Sequence, residues 1–247
     1  HITDVEMRDL INDKCPGVAI NTESFTTYGL RNCLGYMLKE SFSFNGPIIS
    51  ERGKEISTAE VYAEYCKERE RVTLDELKKI SSDLNNSIIY WEAVREQTIR
   101  LSDDIFIRND QVEFDVIQTD QVLDMLCGST YMPLKDIGLF MQFPPINIQW
   151  NGYVLESYLY NFSHKYKLIH ASFSASGYFG AIVKCDSKIE DYQGLITDVL
   201  AHSNQWNDRK SALELLVNLG YQQRKKFAKI EKVIQEAKIL REKIANK

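Results

Sequence analysis

No apolar run in this chain approaches the roughly 20 residues needed to span a bilayer, which excludes a membrane-spanning helix. No signal-peptide pattern stands at its start. The first residue is His1 rather than Met, so the sequence reads as a tag remnant or a piece cut from a longer chain. A catalytic domain could then lie outside it, and the expected location is the cytoplasm. Cysteine is sparse: Cys15, Cys33, Cys66, Cys127 and Cys185 are far apart, odd in number and mostly set among apolar residues. With no C-x-x-C and no His at ligand spacing, a disulfide framework or zinc site is disfavoured, and buried reduced thiols are expected. No metal and no cofactor is expected.

Motifs for chemistry are missing as well. There is no G-x-x-x-x-G-K-[ST], no G-x-G-x-x-G, no H-E-x-x-H and no G-x-S-x-G. The four histidines, His1, His164, His170 and His202, do not cluster, and no obvious nucleophile lies near them, so they read as structural. Asp103, Asp104, Asp110, Glu113 and Asp115 could converge on Mg²⁺ as in a nuclease, but a solvated hairpin face is the better reading. No catalytic residue is assigned.

What is present is an ordinary globular composition, 44% hydrophobic and 26% charged, with a strong charge asymmetry beneath a net charge of −5. Residues 101–150 carry eight acids against two bases, and residues 201–247 carry eleven bases against five acids. Phosphate contacts dominate non-specific nucleic-acid affinity, so a globally acidic chain binds poorly unless a local basic face docks. That basic face could equally dock the acidic middle.

One order of elements recurs three times: two or three short helices, then a β-hairpin. The clearest copy spans residues 57–118. Ser57-Thr58-Ala59-Glu60 and Thr73-Leu74-Asp75-Glu76 read as capping boxes, and a third helix is expected from Ser87. Ile105–Arg108, the turn pair Asn109-Asp110 and Gln111–Phe114 form the hairpin pattern. The weaker first copy covers residues 1–56. A capping box at Thr3–Glu6 opens a helix that closes near Pro16-Gly17, and a second helix runs from about Ser24 to Glu40. A hairpin follows around Asn45-Gly46, with Pro47 costing a ladder donor. The third copy spans residues 119–187. Asp120 caps a short helix, Pro133 opens one through Met141, and Pro144-Pro145 forces an extended link. Asn151 caps a helix bearing Val154, Leu155, Tyr158 and Leu159. Strands from Lys167 to Ser174 and Tyr178 to Lys184 flank an Ala175-Ser176-Gly177 turn.

Residues 188–247 form a C-terminal helical segment: Ile189–His202, Ser211–Leu219, and a long amphipathic helix from Tyr221 to the end. The stripe of the last, Phe227, Ile230, Ile234, Ala237, Leu240 and Ile244, is near a heptad. The fold class is mainly α with short β-hairpins, an α+β chain.

Helix, helix, helix, hairpin in residues 57–115 and 119–187, and less clearly in 3–56, resembles the winged-helix superfamily. That resemblance implies tandem modules whose third helix and hairpin bind DNA, though many such modules bind proteins instead. The acid-rich hairpin at Ile105–Phe114 departs from a backbone-gripping wing. The polar faces of the third helices then offer Thr26, Thr27, Arg31, Asn32 and Lys39 in the first copy, and Asn85, Asn86, Ser87, Tyr90, Arg95 and Arg100 in the second. The third, the leading candidate, offers Asn147, Gln149, Asn151, Tyr153, Ser157 and Asn161, with Lys165 and Lys167 beyond them. Amides and Arg suit base edges and Lys suits phosphate. The basic run Arg224, Lys225, Lys226 and Lys229 adds a further phosphate contact. Trp91, Trp150 and Trp206 could stack on bases, but core packing is preferred.

The expected function is non-catalytic nucleic-acid binding, DNA first, as a transcription regulator or as the recognition part of a larger DNA-processing or defence protein. Affinity would come from Arg31, Arg95, Arg100, Asn151, Lys165, Lys167 and the Arg224–Lys229 run. The rival is a protein-interaction or oligomerisation scaffold that self-associates through Phe227, Ile230, Ile234 and Leu240. A hydrolase whose acids meet only in three dimensions is a third, weaker option.

Overall fold

Short helices alternate with three small antiparallel sheets in the computed structural model, which describes residues 1–15, 26–173 and 177–246. The fold class is mixed α+β and rich in helix. The chain divides into two compact units, His1–Thr98 with Asp104–Arg108, and Ile99–Asp103 with Asn109–Lys247. Among the described residues no helix is long and apolar enough to cross a membrane.

The first unit opens with β1 (Ile2–Thr3), α1 (Asp4–Lys14), α2 (Thr27–Met37), β2 (Phe42–Asn45) and β3 (Ile48–Glu51), in a sheet of order β1-β3-β2. Thr3 ends the strand and caps the helix at once: its hydroxyl accepts from the Glu6 amide while Glu6 reaches back to the Thr3 amide at 2.8 Å. Met7, Leu30 and Ile49 form the small core beneath. Asn45 pairs with Ile48, so Gly46 (φ +57°) and Pro47 are the two turn residues. Pro47 therefore costs the ladder nothing, contrary to expectation, and its carbonyl accepts from the Asp4 amide. The expected helix stop at Pro16-Gly17 lies outside the described residues.

Next come α3 (Thr58–Lys67), β4 (Arg71–Thr73), α4 (Leu74–Asp83), α5 (Trp91–Gln97), β5 (Thr98–Arg100) and β6 (Ile105–Arg108), the strands in the order β4-β6-β5. Both capping boxes form, at Ser57 and Thr73. Asn85, at φ +48°, ends α4 in the left-handed conformation, and Ser87 lies in the following turn, so α5 begins at Trp91 rather than at Ser87.

The hairpin expectation is corrected here. Ile105–Arg108 is a strand, but its turn precedes it. Asn109–Gln111 is a 3-10 turn, and Gln111–Phe114 is not a strand. Phe114 explains the difference: in the second unit its ring packs against Trp150 (5.3 Å), Tyr158 (5.2 Å) and Phe162 (4.9 Å). Burying a large ring outweighs a short ladder.

The second unit continues with α6 (Val116–Leu126), β7 (Tyr131–Pro133), α7 (Gly152–Asn161), β8 (Tyr166–Ile169) and β9 (Ala181–Lys184), in sheet order β7-β9-β8. Three expectations shift. Asp115, not Asp120, caps α6. No α-helix runs from Pro133 to Met141: Pro133 ends an outer strand, where its missing N–H costs nothing, and two 3-10 turns follow at Leu134–Asp136 and Phe140–Gln142. The β8–β9 strands are shorter than expected, and two of the three turn residues, Ala175 and Ser176, lie outside the described residues.

The chain ends with α8 (Tyr192–Ala201), α9 (Arg209–Asn218) and α10 (Ile230–Ala245). Gly220, at φ +82°, terminates α9. Residues 221–229 are irregular, so the last helix begins nine residues later than expected. Its stripe is not a free seam. Ile230, Val233, Ile234 and Ala237 are buried with Leu195, Ile196 and Val199 of α8, and Phe227 and Leu240 pack on the edge of that core. The expected self-association face is consumed inside the unit.

Candidate nucleic-acid interface

Three helices, α2, α5 and α7, lead into hairpins, and they differ sharply in what they expose. α7 is interior: Val154, Leu155, Glu156, Ser157, Tyr158 and Leu159 are all buried. Asn151 caps it, accepting from the Tyr153 and Val154 amides at 2.8 and 3.0 Å, and donates to the Leu101 carbonyl. Ser157 accepts from the Arg100 amide at 2.9 Å. The expectation that this helix presents the leading base-reading face is therefore corrected. α5 is seven residues long, buries Ala93, Val94 and Arg95, and exposes two acids, Glu92 and Glu96.

α2 is different. Only Leu30 in it is buried, and the helix contains no acid. Tyr28, Tyr36 and Met37 are exposed, with Asn32 and Cys33 between them. The Arg31 guanidinium lies 4.8 Å from the Tyr28 ring centroid and 3.5 Å from the buried Asp4 carboxylate. Burial pushes the Asp4 carboxyl above its ordinary range, against the lowering pull of Arg31. The Lys39 ammonium sits 5.6 Å from the Tyr36 ring. A shallow groove of about 400 Å³ runs between α2 and its hairpin, lined by Arg31, Asn32, Lys39, Phe42 and Phe44 among others.

Arg100, expected as a free cation, is instead 2% exposed and locked in the second unit. Its guanidinium is 3.1 Å from the Glu156 carboxylate and donates to the Ser102 and Gly177 carbonyls. The rings of Tyr153 and Phe173 lie 4.3 and 4.9 Å from it. Burial lowers its proton affinity while Glu156 raises it. Asp120, expected as a cap, is buried inside α6. It accepts from the Tyr158 hydroxyl, the Ser163 hydroxyl and the amides of His164 and Lys165, fixing the corner between α7 and β8. Lys165 pairs with Asp124 at 2.6 Å on the surface, and Lys167 is half-buried in β8.

The basic run before α10 is split. Lys225 pairs with Glu214 at 2.9 Å, and Lys229 stands at the start of the helix. Arg224 and Lys226 line a cavity of about 440 Å³ with His170, Phe173, Phe179 and Tyr221. Of the residues expected to supply affinity, Arg224 and Lys226 are brought together by this cavity. The sequence missed Phe173 and Phe179, which lie about 45–53 residues away along the chain and carry no shared motif. Two of the three tryptophans are structural: Trp150 donates to the Pro144 carbonyl and Trp206 to that of Leu200, both buried. Cys66 and Cys127 are buried as expected, whereas Cys15, Cys33 and Cys185 are exposed. Burial raises the Cys66 thiol to about 12, which makes it inert. Among the described residues no three or more His, Cys, Asp or Glu are grouped to hold a metal ion.

Compared with protein-family models, curated proteins and solved structures, the chain matches none.

Proposed function

We propose that the chain is a non-catalytic DNA-binding protein of tandem winged-helix type, and that it docks through α2 and the β2–β3 hairpin. One observation carries this reading: of the three helices that lead into hairpins, α2 alone pairs an exposed face with the absence of any acid. Asn32 suits a base edge, Lys39 and the tyrosine hydroxyls suit phosphate, and the hairpin flanks the helix as a wing would. The shared sheet order in all three copies, first strand beside last and middle strand outside, supports the superfamily assignment. A gel-shift titration on mixed duplex DNA at two salt concentrations tests it. Lys39→Ala should weaken binding on every sequence and reduce the salt slope by about one. Asn32→Ala should cost about 1–3 kcal/mol on the preferred sequence. Absence of any salt-sensitive shift at micromolar protein overturns the proposal.

The same face favours a second reading, a protein partner. Tyr36 is 80% and Met37 73% exposed, and aromatic residues and Met are enriched at protein interfaces. Tyr36→Ala would then abolish partner binding with little salt dependence.

A further inference from the structure

We infer that the cavity between residues His170–Phe173 with Phe179 and the residues after Gly220 is a nucleotide site, taking a nucleoside phosphate either free or as the phosphorylated end of a strand. This rests on the second unit alone and stands independently of the α2 reading.

The volume, about 440 Å³, is that of a small-ligand site. The lining is chemically one-sided: three rings (Phe173, Phe179 and Tyr221), two cations (Arg224 and Lys226), His170, neutral polar groups and no carboxylate. The chain as a whole has 35 acids against 30 bases, so an acid-free basic lining is selective. Among the described residues neither Arg224 nor Lys226 makes an ion pair, and both are exposed. Cations without internal partners beside flat apolar rings fit a ligand that is anionic at one end and aromatic at the other. A base can stack on the rings, and a phosphate can take the guanidinium as a fork and the ammonium as a point charge.

The walls are fixed before any ligand arrives. Phe173 lies against Arg100, which is itself locked to Glu156 and the Gly177 carbonyl. Gln222 is 5% exposed, accepts from the Tyr192 hydroxyl at 2.8 Å and donates to the Arg224 carbonyl at 2.8 Å, which pins the cationic segment. The Gly180 amide donates to the Gly220 carbonyl, tying the two walls together. Gly180 is at φ +118°, and a Cβ there would meet the Ile169 carbonyl at 2.5 Å and His170 Cβ at 2.8 Å. Only glycine permits this approach.

Calorimetric titration of the full chain with AMP, adenosine, inorganic phosphate and a short single strand with and without a 5′-phosphate tests the assignment. AMP or the phosphorylated strand should bind at least about tenfold tighter than adenosine, phosphate or the unphosphorylated strand. Binding of AMP identifies a free nucleotide, and binding of the phosphorylated strand alone identifies a strand end. Either outcome supports the site. Arg224→Ala with Lys226→Ala should weaken binding about tenfold or more. Lys225→Ala, whose charge is held by Glu214, should leave it unchanged. All three positions are exposed, and an unchanged circular dichroism melt certifies the fold. The site is overturned if neither AMP nor the phosphorylated strand binds below millimolar, if phosphate alone binds as well as AMP, or if Lys225→Ala weakens binding as much as the cavity pair.

Discussion

Arg100 shows how little a single residue's neighbours in sequence say about its work. In the chain it follows a helical stretch and reads as a cation offered to solvent, yet it is the hub of a buried polar centre. Its counter-charge, Glu156, comes from 56 residues further on, and both side chains are under 5% exposed. A pair this deeply buried does not have to stabilise the fold relative to an apolar pair, but removing one partner strands the other charge. Glu156→Gln should therefore lower stability by about 3–5 kcal/mol in a urea titration. Arg100→Met with Glu156→Leu should recover most of that loss. A single-variant cost under about 1 kcal/mol would mean that the guanidinium reaches water and that the burial assigned to it is wrong.

At the level of elements, the sequence was legible wherever a local rule decided the outcome. The three capping boxes at Thr3, Ser57 and Thr73 form as read, because cap and partner lie three residues apart. Their pH dependence follows. Glu76 accepts from the Thr73 amide and hydroxyl at 2.7 Å each and from the Tyr65 hydroxyl at 3.2 Å. The Thr73 bonds hold its carboxyl below the ordinary value of 4.5. A depressed folded value means that the contribution is complete above 4.5 and is lost as pH falls through the folded one. Glu76→Gln should flatten the acid limb of a melting-temperature profile without moving its neutral end by much. Thr73→Ala should cost about 1 kcal/mol at neutral pH. An unaltered acid limb in Glu76→Gln would place the proton uptake elsewhere. What escaped the sequence were the strands β1, β4 and β7. Each is two or three residues long, two of them end on the cap of the next helix, and their partners lie far along the chain. No alternation can develop over three residues. The misplaced second hairpin has a related cause, since Phe114 looks like a strand residue until its ring partners at Trp150 and Phe162 are known.

For the molecule as a whole, the same non-local logic overturns the simplest reading of the C-terminus and shows what that helix does. An apolar stripe on a basic helix is the signature of a coiled-coil seam and of a core helix alike, and periodicity cannot separate the two. The separation comes from α8, whose Leu195, Ile196 and Val199 share one core with Ile230, Val233, Ile234 and Ala237. Burying each large aliphatic side chain is worth about 1.5–3 kcal/mol, so the helix contributes an amount comparable to the whole stability of about 5–15 kcal/mol typical of a domain. Ending the chain before Phe227 should thus not convert a dimer to a monomer. It should uncover the α8 face, raise binding of a hydrophobic dye several-fold and lower the melting temperature of the second unit by more than about 10 °C. Ile234→Asp should reproduce the destabilisation within the full-length chain, because it places an unpaired charge in that core. Light scattering distinguishes the alternatives. A truncated chain that stays folded at its original melting temperature while losing half its mass would return the stripe to the subunit interface and remove it from the core.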